Sequence, residues 1–323
     1  TGNFASTVNG GAGNDVLTGG TAADTINGGA GNDTITGSGG NDTLSGGDGN
    51  DAITATTAGN YTITGGAGND TADFGGTLTN ADSFDGGDGT DTLFLTNDSA
   101  TTINAYSITA TNTLNDNISN VEKVDFGSDL AQSVDLGRLD GISDVIIDNL
   151  AGDVTLSGIG ATNNFKIKAT TGQALTLTLA DATGSSDVVN INLNSADIIN
   201  ANTISAASVE TVNILGNDAA AANSSVINVL TLTANKATSI VVTGNDGLNL
   251  TATGSTKVTN FDASAVAAND SNDTAANMAV TYASLNTSSS ASVTIKGGAG
   301  NDSLTGNAGV DTITGGAGAD TLV

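Results

Sequence analysis

The sequence predicts an all-β protein in which parallel β-roll segments flank an irregular parallel β-solenoid of stacked short strands. Three observations predict it. A nine-residue unit repeats in tandem near both ends of the chain, which signals a solenoid. Gly and Asp, both turn formers and poor helix formers, are abundant. Between the repeats, short apolar runs alternate with Thr, Asn and Ser, the pattern of half-buried strands.

The repeats come first along the chain. From Gly10 the sequence reads GGAGNDVLT, GGTAADTIN, GGAGNDTIT, GSGGNDTLS and GGDGNDAIT, five consecutive nonapeptides ending at Thr54. The form is GGxGxDxUx, with Ser38 and Ala22 each replacing one of its glycines, where U is a large apolar residue: Leu17, Ile26, Ile35, Leu44 and Ile53. Degenerate copies start at Gly65, Gly75 and Gly86, and the unit returns from Gly297 to Val323. Positions one to six are expected to turn, with glycines supplying positive φ, and positions seven to nine to form a short strand with its middle residue inward. Two units close one coil, so acids 18 apart stack. Asp15, Asp33 and Asp51 form one column and Asp24 and Asp42 the other. The ten residues 55–64 replace one nonapeptide, placing Ile63 inward, so that Asp70 and Asp91 extend the first column. Asp82 is the candidate to extend the second. Near the other end Asp302 and Asp320 pair, with Asp311 on the opposite side.

One aliphatic side chain per nonapeptide is too little to offset the ordering of nine residues, and stacked acids repel each other. A hard cation answers both needs. Ca²⁺ takes six to eight oxygens, and carboxylates between adjacent turns together with glycine carbonyls offer them. The candidate metal ligands are therefore Asp15, Asp24, Asp33, Asp42, Asp51, Asp70, Asp91, Asp302, Asp311 and Asp320. Same-side pairing of these acids predicts about six or more Ca²⁺ at oxygen-only sites.

Composition excludes much else. The formal charge is −27, with 7 Lys and Arg against 34 Asp and Glu, so nucleic acid and anionic lipid are disfavoured partners. Cys, His, Pro and Trp are absent, which removes disulfides, thiolate and imidazole metal sites and histidine triads. Only two acids are Glu, Glu122 and Glu210; each precedes an alternating strand after a Val, and each reads as structural. Arg138, the only arginine, reads as an ion-pair donor. Nothing here argues for an enzyme. No apolar run approaches the roughly 20 residues of a membrane helix. The chain opens at Thr1 without a charged-then-apolar leader and reads as a fragment or processed chain.

The division expected is 1–94 as an N-terminal roll, 95–296 as irregular solenoid and 297–323 as a second roll. Strands are expected at Val145–Ile147, Val154–Leu156, Leu175–Leu179, Val188–Leu193, Val209–Ile214, Val226–Leu232, Ser239–Thr243 and Val293–Ile295. A short helical turn is expected at Ser195–Asn202, and a long loop over Asp262–Asn277.

The GGAGND units with an apolar eighth residue resemble the RTX family, secreted by Gram-negative type I systems and folded by external calcium into parallel β-rolls. That family includes proteases, lipases, toxins, adhesins and lattice proteins. A second resemblance lies in LTLTANKATSIVVTGNDGLNLTATGSTKVTNFDASAVA from Leu230 and VTIKGGAGNDSLTGNAGVDTITGGAGADTLV from Val293. Together with VETVNI from Val209 and TLTLADATGSSDVVNINL from Thr176, these are similar to the lattice-forming region of the Caulobacter-type RTX surface-layer family. The resemblance implies a calcium-dependent, two-dimensional homo-oligomeric S-layer on a Gram-negative outer surface, anchored through a separate region to lipopolysaccharide. Two alternatives stay open: an RTX adhesin or extracellular filament subunit, and the repeat module of a secreted hydrolase. Weak calcium sites at subunit contacts are expected at acids outside the repeats, such as Asp98, Asp116 or Asp218.

Overall fold

The structure, a computed structural model, describes residues 3–105, 117–127, 130–160, 162–168, 172–193, 200–217 and 226–323. The chain divides into two units, Thr1–Ile146 and Ile147–Val323. Both are built from parallel strands that alternate between two sheets.

In the first unit one sheet stacks Thr7–Ala12, Thr25–Ala30, Thr43–Asp48, Thr62–Ala67, Ser83–Asp88 and Ile118–Ser119. The other stacks Val16–Thr18, Thr34–Thr36, Ala52–Thr54, Thr71–Gly75, Thr92–Leu95 and Lys123–Phe126. The 18-residue period puts identical repeat positions opposite one another. Val8, Ile26, Leu44, Ile63 and Phe84 pair in sequence on one side. Leu17, Ile35, Ile53, Ala72 and Leu93 pair on the other. From Ile26 and Ile35 onward these side chains are buried and form the core. Ile63 takes the inward place that its spacing requires, so the ten-residue segment 55–64 lengthens a turn without shifting the register.

Strand length departs from expectation on one side. The strands beginning at Val16, Thr34 and Ala52 span three residues, but those beginning at Thr25, Thr43 and Thr62 run six, through the first glycines of the next repeat. Glycine makes this possible. Gly29 has φ 115° and lies in register with Gly11 and Gly47, and a Cβ on it would collide with the Gly11 carbonyl. Backbones without side chains thus approach closely enough for the ladder to continue.

An α-helix, Asn97–Ala105, interrupts the all-strand pattern and was not legible in the sequence. Its Ala100 and Ile103 are buried, and the Ser99 hydroxyl donates to the Gly75 carbonyl at 2.6 Å. Arg138 pairs with Asp135 at 2.8 Å, the ion-pair role expected of it.

In the second unit one sheet stacks Val154–Ile159, Ala174–Leu179, Asn200–Ser205, Ile227–Thr233, Gly247–Thr251, Val280–Ala283, Ser303–Thr305 and Thr321–Leu322. The other stacks Asn164–Ile167, Val188–Leu193, Thr211–Gly216, Ser239–Gly244, Asn260–Val266, Thr294–Lys296 and Thr312–Thr314. The core ladder Ile191, Ile214, Val242 faces Ile204 and Leu232. Farther along, the rings of Phe261 and Tyr282, one from each sheet, stack with centroids 3.9 Å apart.

Two expectations change here. The segment Asp262–Asn277, expected to be a long loop from its Ala-, Asn- and Asp-rich composition, begins inside the strand Asn260–Val266, which pairs with Ser239–Gly244 because Phe261 and Ala263 point inward. The helical turn at Ser195–Asn202 is not found in its described part: Asn200–Asn202 open a strand, and residues 194–199 lie outside the described residues.

Candidate metal centre

Each repeat Asp immediately precedes a strand, so a column of Asp side chains rises along one edge of the sheet. The N–H of Asp15 donates to Oδ1 of Asp33 at 2.8 Å, that of Asp33 to Asp51 at 2.7 Å, and that of Asp51 to Asp70 at 2.8 Å. Asp70 continues the column to Asp91 at 2.7 Å. The preceding Asn bonds in the opposite sense. Asn14 Oδ1 accepts from the N–H of Asn32, Asn32 from Asn50, and Asn50 from Asn69. The Asn-Asp pair thus couples each turn to both neighbours.

Only one oxygen of each Asp is used this way. Oδ2 of Asp15, Asp33, Asp51, Asp70 and Asp91 is buried without a hydrogen-bond partner. Each leans over the first glycine of its own repeat, where a backbone carbonyl from the next coil converges with it. A Cβ on Gly10, Gly28, Gly46, Gly65 or Gly86 would collide with both oxygens. Burying an ionised oxygen without a partner costs more than leaving a neutral group unpaired. A cradle of one orphaned carboxylate oxygen and one or more carbonyls fits a hard divalent cation. Among the described residues no three Asp or Glu side chains converge on one point. A cation here would draw largely on backbone oxygen.

The second column is built differently. Ser6 N–H donates to Asp24 Oδ1 at 2.7 Å, and Asp24 N–H to Asp42 Oδ1 at 2.9 Å. The other oxygen of Asp24 accepts from the Gly20 N–H, and that of Asp82 from the N–H and hydroxyl of Thr79. Between them Tyr61 holds the Asp position, its N–H donating to Asp82 Oδ1 at 2.7 Å. Its ring lies against Gly37, where the other cradles present a carbonyl, and its hydroxyl bonds Ser38 and Thr57. Asp42 Oδ2 is left buried beneath it without a partner.

In the second unit Val280 N–H donates to Asp302 Oδ1 at 2.8 Å, and Asp302 N–H to Asp320 Oδ1 at 3.0 Å. Asp311 lies in the other column, accepting from Val293 N–H at 3.1 Å and from Asn307 N–H at 2.6 Å. Asp302 Oδ2 accepts from its own turn, at Gly298 N–H.

Burial dominates the acidities. It pushes the carboxyls of Asp42, Asp51, Asp91 and Asp302 above their usual range, and that of Asp70 up to about 6. Neighbouring acids push the same way: Asp24 on Asp42, Asp33 on Asp51, and both Asp51 and Asp91 on Asp70. Asp24 moves down instead, because the Gly20 N–H stabilises its charged form. Among the described residues, only Asp91 of these raised carboxyls has a basic side chain acting on it, Lys123; Asp42, Asp51, Asp70 and Asp302 have none.

Two acids taken as structural sit in the same register. Glu122 Oε2 accepts from Asp91 N–H at 2.8 Å, and Glu210 Oε2 from Asp187 N–H at 3.1 Å. The recurring Val-Glu before a strand was the signal, and the structure explains it: Glu stands where a repeat has Asp. Asp187 also carries a buried Oδ2 without a partner. Asp98 lies in the first turn of the helix Asn97–Ala105, while Asp116 and Asp218 lie outside the described residues.

Residues 1–35, 18–53, 55–76, 78–99 and 294–322 match the family model described as RTX calcium-binding nonapeptide repeat (4 copies). No curated protein matches the chain. The coils that carry the Asp columns from Asp15 to Asp91, and those of Asp302, Asp311 and Asp320, are therefore RTX calcium-binding nonapeptide repeats.

Proposed function

We propose that the protein is a secreted, non-catalytic structural protein that calcium folds outside the cell and that then tiles with its own copies into a surface-layer lattice. The observation that carries the calcium step is the row of buried, unpartnered Oδ2 atoms from Asp15 to Asp91. Where calcium is scarce these acids repel and the nonapeptides remain unfolded, a state suited to export. At millimolar external calcium, the 10⁻⁴–10⁻³ M affinities typical of extracellular modules suffice to fill the cradles. Asp15, Asp33, Asp51 and Asp70 would hold the ions, with the carbonyls of Gly28, Gly46, Gly65 and Gly86. A bound ion supplies positive charge between coils. The chain's own part is to align one carboxylate oxygen and one carbonyl at each turn.

Tiling is supported by the resemblance of most of residues 86–323 to the surface-layer family and by parallel ladders in which like positions recur in register from coil to coil. Lipopolysaccharide anchoring would fall to a region other than the repeats. The test is negative-stain imaging and light scattering of refolded protein across a calcium titration. A periodic sheet is expected. Isolated rods or fibres would favour the adhesin reading, and a folded monomer at every calcium level the hydrolase-module reading. Chelation is expected to abolish the β circular dichroism of residues 10–94.

A further inference from the structure

The first column does not stop where the nonapeptides stop. After Asp91 the next carboxylate in register is Glu122, 31 residues on, where regular coils need 18 to 21. The intervening chain holds the strand Thr92–Leu95, the helix Asn97–Ala105 and the strand Ile118–Ser119. Despite that detour, Asp91 meets the surroundings of Asp33 or Asp51. It is fully buried, its Oδ1 accepts from Asp70, and its Oδ2 has no partner.

The carbonyl that completes the cradle comes from a residue that is not glycine. Over Gly86, Asp91 Oδ2 converges with the carbonyl of Asn120, just as Asp70 Oδ2 converges with the carbonyl of Gly86 over Gly65. Asn120 has φ 52°, one of two non-glycine residues with positive φ among those described. Asn tolerates this left-handed conformation better than most side chains. Its Nδ2 donates to Asp85 Oδ1 at 2.7 Å, which fixes the turn. Two residues later Glu122 replaces the column Asp, one carboxylate oxygen accepting from Asp91 N–H. Its own carbonyl accepts from the N–H groups of Ser143 and Asp144, anchoring it to the following coil.

We propose that Asp91, Glu122 and the carbonyl of Asn120 hold a further calcium ion, between the last nonapeptide coil of the first unit and the non-repeat coil that follows it. The inference rests on the calcium reading of the repeats. It adds a site that pairs a repeat Asp with a Glu outside every repeat, so calcium would order the strand Lys123–Phe126 as well as the roll. Nearby, Lys123 carries positive charge and Asp85 negative, leaving the cradle net acidic.

The experiment counts ions on the full chain by native mass spectrometry through a calcium titration, for the wild type and for Glu122→Gln. Gln keeps an acceptor for Asp91 N–H and removes the charge. The variant is expected to bind one ion fewer, or to bind one ion about tenfold more weakly or worse, by analogy with changes behind metal ligands. The same count and affinities as wild type would overturn the site. A wild type that binds no calcium would instead overturn the calcium reading as a whole. Hydrogen exchange on the wild type gives a second measure that needs no variant. Protection of Lys123–Phe126 is expected to rise with calcium together with that of Thr25–Ala30. Protection that rises in Thr25–Ala30 alone would overturn the site.

Discussion

The N–H of Asp51 donates to Oδ1 of Asp70 at 2.8 Å, while Oδ2 of Asp70 stays buried and unpartnered between the carboxylates of Asp51 and Asp91. One atom of the side chain builds the backbone ladder and the other carries an uncompensated charge. The same residue therefore specifies the coil and makes it dependent on a cation.

A pH dependence follows for the calcium-free protein. Burial lifts Asp70 from 3.8 to about 6, and Asp42, Asp51, Asp91 and Asp302 move the same way. Between those values the folded carboxyl holds a proton that the unfolded one has lost. Stability thus falls as pH rises through the window. Without calcium, β circular dichroism should grow as pH drops from about 7 to about 4.5. With saturating calcium the order reverses, because protons displace the metal. A calcium-free spectrum that is flat or loses β signal across this range would contradict the account.

Gly46 tests the cradle itself. Its backbone needs no positive φ, so Ala there carries no conformational strain, but the added Cβ meets Asp51 Oδ2 and the Gly65 carbonyl. Gly46→Ala should remove one calcium ion and cost about 1–3 kcal/mol at saturating calcium, as overpacking does. Gly11→Ala is the contrast. That position has φ 110° and open space around it, so strain should destabilise it while the ion count holds. Isothermal titration and thermal melts on both variants separate the effects. Equal ion loss in both would show that the glycines act through backbone shape alone.

Tyr61 occupies an Asp position, and its ring covers the cradle of Asp42. Tyr61→Asp should restore a carboxylate between Asp42 and Asp82 and open that cradle, raising the calcium count by one. Without calcium it should be strongly destabilising, by about 3–5 kcal/mol from the lost ring before any charge is counted. Tyr61→Phe keeps the ring and should leave the count unchanged. An unchanged count in folded Tyr61→Asp would mean that the second column does not take up calcium at this turn.

What the sequence made legible was whatever repeats with a fixed period. Ile26, Ile35, Leu44 and Ile53 could be placed in the core, and Asp33 above Asp15, because 18 residues separate like positions. Ile63 and Asp70 survived a one-residue insertion because both lie on its far side. The lost information was non-periodic or carried by backbone. The six-residue strands through Gly28 and Gly29 owe nothing to side-chain pattern. Glu122 changes residue type and spacing at once, and the helix before it has no repeat to announce it. Tyr61 keeps the Asp register through its N–H, which no side-chain motif records.

Ion selectivity is the last prediction. The oxygens of each cradle are set by two parallel coils whose spacing is fixed by the sheet ladder at about 4.8 Å, so the cavity cannot shrink around a small ion. Ca²⁺ accepts oxygen at 2.3–2.6 Å in irregular shells, whereas Mg²⁺ demands near-octahedral oxygens at about 2.0–2.1 Å and releases water reluctantly. A site with one carboxylate oxygen and backbone carbonyls offers little charge to strip that water. Strontium, with the same charge and a larger radius, asks less of the cradle than magnesium does. Refolding in strontium should therefore recover the β spectrum and any ordered assemblies, at concentrations somewhat above those needed for calcium. Magnesium should recover neither at comparable levels. Circular dichroism and light scattering in the three ions measure both steps. If magnesium folds the protein as well as calcium does, the acids need only charge screening, and the built cradles of Asp33, Asp51 and Asp70 would not be where the cation acts.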